Sequence, residues 1–177
     1  IEFLKGNAFM ELYEDTIMKL QGVGIIDVDN PNDPVSVTLA PKYGRLCYPE
    51  IFMDMMEPSS DQVSFINEHG ENLYCFQDGT TMAFTNKITD ANEIVGSVLY
   101  QPVLNWFGLD LLYIGVESQN KRVSSSFNIF VKATSDAPLV IVPNSTLTVE
   151  EGENLAIEGI AVKDDDIDLE IQESRDR

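Results

Sequence analysis

The sequence predicts an all-β protein: an antiparallel β-sandwich with one short helix and an insertion, followed by the start of a second sandwich domain. Three observations predict it. Short segments in which apolar and polar residues alternate, the period of a half-buried strand, recur between clusters of Gly, Pro, Asn and Asp. A single stretch carries the pattern of a helix start. A stretch near the amino end returns late in the chain at a constant offset.

Taken in order, Leu20, Gly22, Gly24 and Ile26 fall on one side of an extended segment and Val23 and Ile25 on the other. Val35, Val37 and Leu39 alternate with Ser36 and Thr38 and lead to Pro41 and a turn at Tyr43-Gly44, a second strand and its exit. The region from about residue 48 to 78 has weaker pattern, with Met53, Met55, Met56 and Pro58-Ser59-Ser60, and reads as an insertion. Its methionines suit either the cover of one end of the core or an adaptable contact surface. Asp90 is expected to cap the backbone amides of Ala91 to Glu93, with Glu93 three residues on and Ile94, Val95 and Val98 beyond, so a turn or two of helix starts there. Leu111 to Val116 is a continuous apolar run that suits a central strand, and Phe127, Ile129 and Val131 alternate with polar neighbours. The pattern then ends in Ala133-Thr134-Ser135-Asp136, and Leu139 to Val142 begins a new one. The boundary is placed at Ala137-Pro138, giving domains 1–137 and 138–177 and a joint short enough to be stiff.

The recurrence is specific. Glu14, Gly22, Asp27 and Asp29 return as Glu151, Gly159, Asp164 and Asp166, each 137 residues on, and Asn7 returns as Asn144. The apolar pairs Met10/Leu147, Leu12/Val149, Met18/Leu155, Leu20/Ile157, Val23/Ile160 and Ile25/Val162 fall into the same register. A few matching acids are easily had in so acidic a chain, but a match that also keeps the apolar register is much harder. The chain is therefore expected to hold one complete domain and the opening of the next, from a longer tandem array.

The formal charge of −19, from 11 Lys and Arg against 30 Asp and Glu, argues against nucleic acid as a partner, because phosphate binding needs clustered Lys and Arg. No apolar run is long enough to cross a bilayer, so no membrane insertion is expected in this segment. Any one acid is by default a solvated surface residue. Where acids cluster, as in Asp164, Asp165, Asp166 and Asp168, mutual repulsion favours a bound cation, and hard oxygen ligands favour Ca²⁺. In an extended Asp-x-Asp, alternate side chains point to one side, so Asp164 and Asp166 are spaced to chelate one ion. Zinc does not fit, with His69 alone and only two cysteines.

Cys47 and Cys75 are either two buried thiols or a disulfide, and an even count in an acidic, β-rich, repeat-bearing chain favours the disulfide. Asn144-Ser145-Thr146 is an N-glycosylation sequon. Together these point to an extracellular or cell-surface location.

Glu14-Asp15-Thr16, the run Gly22 to Ile26, Asp27-Val28-Asp29 and the strand Val35 to Leu39 resemble the opening of cadherin-like or Ig-like tandem β-sandwich domains of large surface proteins. Leu99 to Pro102, Asn105 to Asp110 and Thr134 to Pro138 resemble the closing half of the same domains. The resemblance implies Ca²⁺ bound between consecutive domains. It assigns the joint within this chain to Glu14, Asp110, Asp136, Asp164 and Asp166. Asp27 and Asp29 would serve an upstream joint and Glu151 a downstream one. The partners implied are neighbouring repeats of the same chain and other surface or filament proteins. Ser135 stands where the family's linker usually has Asn, and Asp15 and Thr16 become Gly152 and Glu153 in the second copy.

Two other readings compete. Paired acids could serve a glycosidase, but these recur by domain and no nucleophile motif accompanies them, so no enzyme is expected. Trp106, with Tyr100, Phe107 and Tyr113 nearby, could form a stacking platform for glycans, although a Trp beside the Gly108 turn suits the core better. A Ca²⁺-independent structural repeat of a filament or surface coat is the remaining alternative.

Overall fold

The structure is a computed structural model and describes residues 2–5, 9–27, 32–56, 62–67, 69–119, 121–143 and 146–164. Asp29, Asn144 and Asp166 lie outside the described residues. The chain divides into two compact units, Ile1–Ala133 and Thr134–Arg177.

Unit 1 is built from β1 (Glu2–Lys5), β2 (Phe9–Tyr13), β3 (Met18–Lys19), β4 (Val23–Ile26), β5 (Pro34–Ala40), β6 (Gly44–Pro49), a 3-10 helix (Glu50–Met55), β7 (Gln62–Ile66), β8 (Asn72–Phe76), β9 (Met82–Lys87), α1 (Ile88–Ser97), β10 (Leu99–Pro102), β11 (Gly108–Ser118) and β12 (Lys121–Lys132). Two five-stranded sheets, in the orders β2-β12-β11-β5-β9 and β3-β10-β6-β8-β7, face one core, and β1 pairs with β4 as a separate ribbon. Val35, Val37 and Leu39 of β5, Leu112, Ile114 and Val116 of β11 and Ile129 and Val131 of β12 meet Leu46 and Tyr48 of β6 and Tyr100 of β10 in that core. Alternation in β5 and β12 thus does what the pattern predicts. β11 is central in its sheet, but the apolar run is buried on one face only: Leu111 is exposed while Leu112 is buried.

Three expectations change and a fourth gains detail. The sandwich is not wholly antiparallel, because β2 runs parallel to β12, from Phe9 opposite Asn128 to Tyr13 opposite Lys132. The alternation around Gly22 is not one strand: Gly22 has φ 75°, which breaks the extended chain, so Leu20 and Ile25, of opposite parity, are both buried. The insertion supplies strands of its own. β8 and β7 extend the sheet outward from β6, with Cys47 directly opposite Cys75 and Val63 opposite Cys75 on the other side. The helix begins at Ile88, with Lys87 as its extended cap residue, and Asp90 lies in the first turn, where its carboxylate accepts from the Thr89 hydroxyl at 3.2 Å. The amides needing satisfaction lie ahead of Asp90, so its side chain does not cap the helix.

Helix α1 buries Ile88, Ala91, Ile94 and Val95 in the core. It also completes β4. The Asn92 side chain accepts from the Ile25 amide at 2.8 Å and donates to the Ile25 carbonyl at 2.9 Å, replacing a neighbouring strand at that position.

Unit 2 contains a two-stranded ribbon, β13 (Leu139–Ile141) with β14 (Ala161–Lys163). Its register, Leu139 to Lys163, Val140 to Val162 and Ile141 to Ala161, is that of Glu2 to Ile26, Phe3 to Ile25 and Leu4 to Gly24 in the β1–β4 ribbon. Each partner is displaced by the same 137 residues as the sequence repeat. Backbone signs repeat too: Asp15 (φ 57°) matches Gly152 (φ 90°), and Gly22 (φ 75°) matches Gly159 (φ 82°). The change of Asp15 to Gly152 is therefore an exchange between residue types that tolerate the left-handed region at a turn.

Candidate functional site

Acids gather at the end of unit 1 from which the chain leaves. Glu14 follows β2 and its amide donates to the carbonyl of Lys132, the last residue of β12, at 2.9 Å. The Glu14 side chain is buried. Next to it Asp15, held at positive φ, accepts through Oδ1 from the amide of Asn105 at 2.9 Å, and Asn105 is itself at φ 55°. Two left-handed turns are thereby tied together. Sequence reasoning gave neither Asp15 nor Asn105 a role, and their signal was the turn-prone pair of short polar residues.

Asp110 lies at the same end, one turn of the pleat into β11, and is fully buried. Its position follows from parity: it is the first member of the inward row that continues with Leu112, Ile114 and Val116. Oδ1 accepts from the amides of Lys42 at 3.0 Å and Leu111 at 2.6 Å, and Oδ2 accepts from the Tyr100 hydroxyl at 2.7 Å. A buried carboxylate needs such donors, and here both oxygens are occupied by donors from β11 itself, from the turn after β5 and from the opposite sheet. Oδ1 has used both lone pairs, and one remains on Oδ2. Burial, then the bond to Asp110 and its charge, pushes the Tyr100 hydroxyl far above the ordinary tyrosine value. Gly44 makes the arrangement possible, since a Cβ there would lie 2.5 Å from the Tyr100 ring and 2.7 Å from the Gln101 carbonyl oxygen.

Asp27 lies at the other end of unit 1. It follows Ile26, which pairs with Glu2 where the chain comes in, and it is buried. In unit 2 the register sets Asp164, after Lys163, beside the start of β13, the end at which Asp136 also lies. Glu151 occupies an exposed turn. Among the described residues no group of three or more His, Cys, Asp or Glu side chains is placed to hold a metal ion.

The cysteines form a disulfide, Cys47–Cys75, with Cα atoms 4.0 Å apart across the β6–β8 ladder. It is fully buried on the outer side of the sheet with Leu73, against Phe65 and Leu99. The aromatic residues divide between surface and core: Tyr43 is exposed and Trp106, Phe107 and Tyr113 are half-buried. Tyr43 stacks on Trp106 at 4.9 Å, and Lys42 Nζ lies 4.5 Å from the centre of the Tyr43 ring. Tyr100 is buried in the core. A cleft of about 330 Å³ between β2 and β3 is lined by Phe9, Met10, Glu11, Met18, Gln21 and Gly22. Its acid, Glu11, is paired with Lys132 at 2.5 Å.

Comparison with protein-family models and with curated proteins finds no match to this chain. The fold and site therefore define an all-β, two-sheet protein with a cross-strand disulfide and a repeated strand pair. Among the described residues no helix is long and apolar enough to cross a membrane.

Proposed function

We propose that the chain is a structural or adhesive repeat of a large extracellular protein built from tandem cadherin-like or Ig-like sandwiches, with Ca²⁺ stiffening the joint between consecutive domains. One observation carries this reading: β1–β4 and β13–β14 share their register at the repeat offset, so the same supersecondary unit recurs along the chain. Direction supports it as well. Glu14 and Asp110 stand at the outgoing end of unit 1, while Asp136 and Asp164 stand at the incoming end of the β13–β14 ribbon. Asp166 would join that set, Asp27 and Asp29 would serve an upstream neighbour, and Glu151 a downstream one. Asp110 enters with a single lone pair to offer, so Glu14, Asp136, Asp164 and Asp166 carry most of the ligation. The buried disulfide accords with an oxidising, extracellular setting, where a used sequon at Asn144 would make the protein a glycoprotein.

A second reading, a Ca²⁺-independent repeat of a filament or surface coat, is favoured by the internal bonding of Asp110. Calcium titration separates the two. Binding to the native state alone raises stability by mass action, about 2.7 kcal/mol at a hundredfold excess over Kd. The calcium reading expects a higher melting temperature that Asp136→Asn with Asp164→Asn reverses. A melting temperature indifferent to saturating Ca²⁺ favours the filament reading. Neither reading involves catalysis, and the full burial of Tyr100 takes one ring from the glycan-platform alternative.

A further inference from the structure

The outermost strand of a sheet offers free main-chain groups to any other strand, so edges are usually short, charged or covered. In unit 1, β2 carries Glu11 paired with Lys132, β3 is two residues long and includes Lys19, and β9 ends in Lys87 and is tied to the 3-10 helix by the Asn86 side chain, which donates to the Met55 carbonyl at 2.8 Å. β7 differs from these edges. Its sequence, Gln62-Val63-Ser64-Phe65-Ile66, has no charge and no proline, and among the described residues no strand lies on its far side.

The direction of its free groups follows from the ladder. The Asn67 amide donates to the Glu71 carbonyl at 3.0 Å, one position beyond Ile66 and its partner Asn72. Hydrogen-bonded pairs alternate in an antiparallel ladder, so Val63 and Phe65 use their main-chain groups on β8, while those of Gln62, Ser64 and Ile66 point away from the sheet. The 4.0 Å between the Cα atoms of Cys47 and Cys75 agrees: that is the close spacing of a pair without mutual hydrogen bonds, which leaves Cys75 bonded to Val63. The side chains carry a second pattern. Leu99, Cys47, Cys75 and Val63 lie opposite one another in turn across β10, β6, β8 and β7, and this apolar row stops at Val63, which is 48% exposed. Reversed about Ser64, β7 supplies the continuation itself, with Phe65 against Val63, Ser64 against Ser64 and Gln62 against Ile66.

We propose that β7 pairs antiparallel with β7 of a second copy of the chain, about a two-fold axis at Ser64. In that register the outward main-chain groups of Gln62, Ser64 and Ile66 meet those of Ile66, Ser64 and Gln62 of the second copy, as a hydrogen-bonded pairing requires. The apolar row runs on from Val63 into Phe65 and Leu73 of the second copy. A slip of one residue would move that row to the opposite face of the sheet, so the register is specified. One patch meets itself, so the association closes at a dimer. The paired strands bring no charge into contact. At −19 per chain the copies repel at long range, and salt should therefore tighten the dimer. The inference adds a lateral contact to the repeat and does not depend on calcium.

The test is sedimentation of the whole chain over a range of concentrations, with amide hydrogen exchange on the same samples. The expected result is a concentration-dependent dimer in which the amides of Gln62, Ser64 and Ile66 slow as it forms, while those of Val63 and Phe65, already bonded to β8, do not change. Ser64→Lys and Ser64→Glu each set like charges opposite one another on the axis and should weaken the dimer about fivefold or more, and an equimolar mixture of the two variants should regain it. The exchange measurement needs no variant, so it reads the edge even where a substitution disturbs folding. The proposal is overturned if the chain stays monomeric at about 1 mM, the weak end of specific association. It is equally overturned if a dimer forms without slowing at Ser64, or if both charged variants dimerise as the unaltered chain does, since either result puts the contact elsewhere.

Discussion

The hydroxyl of Tyr100 on one sheet donates to Asp110 Oδ2 on the other at 2.7 Å, and both side chains are fully buried. This bond links the two layers at the end of unit 1 where Glu14 and Asp15 gather. It gives Asp110 in the core row its third donor, and its loss would leave Oδ2 without one.

Tyr100→Phe should therefore cost about 1–3 kcal/mol, the range for leaving a buried acceptor underused. Urea denaturation measures it. The effect also depends on pH. The native state holds the Tyr100 proton well above the ordinary value, so the stabilisation is complete below about pH 10, the ordinary tyrosine value, and falls as the unfolded chain ionises above it. Stability should decline by up to about 1.4 kcal/mol per pH unit for this group, and Tyr100→Phe should flatten the decline. Tyr48, also raised by burial, leaves a residual slope.

Gly44→Ala should be destabilising by about 1–3 kcal/mol, because the new methyl would press on the Tyr100 ring and on backbone. Gly70→Ala is the comparison, since nothing lies within 4 Å of a Cβ there and only the positive φ of 78° opposes it, at about 1 kcal/mol. Thermal melts of the two variants should rank them in that order.

Asp15→Gly should be nearly neutral. It relieves a left-handed residue, worth about 0.5–1 kcal/mol, and loses a hydrogen bond to the Asn105 amide of similar worth. Asp15→Ala gains no such relief, loses the bond, and should cost about 1 kcal/mol. Equal losses in the two variants would contradict the equivalence of Asp15 with Gly152.

Replacing both Cys47 and Cys75 by Ala should remove about 3–4 kcal/mol, the chain-entropy value for a bridge spanning 28 residues. Because both cysteines are fully buried, reductant should leave the native protein unalkylated until denaturant is added. Mass spectrometry after alkylation reads this directly.

Much of the fold was legible where one side chain parity does one job. Val35, Val37 and Leu39 announced their strand, and the repeat predicted that the opening of the first domain returns, as the β1–β4 and β13–β14 pairs do. Period-two patterns say nothing of direction, so the parallel pairing of β2 with β12 was invisible. The left-handed turn at Gly22 reverses parity within a few residues, which a single alternation cannot express. The insertion looked patternless because its strand β8 is buried on both faces, with Phe76 in the core and Cys75 in the disulfide cluster. Asp110 was assigned to the joint through the resemblance alone, which carries no statement of its burial. Its parity with Leu112 and Ile114 was the signal that it points inward.

The central claim, that calcium stiffens the joint between units, is tested most directly by a distance distribution between spin labels on Thr85→Cys in unit 1 and Thr148→Cys in unit 2, both exposed sites. The native cysteines, bonded and buried, do not take label. Added Ca²⁺ should narrow the distribution in the wild-type background and leave it unchanged when Asp136 and Asp164 are both Asn. A width that is the same with and without the ion would contradict the claim.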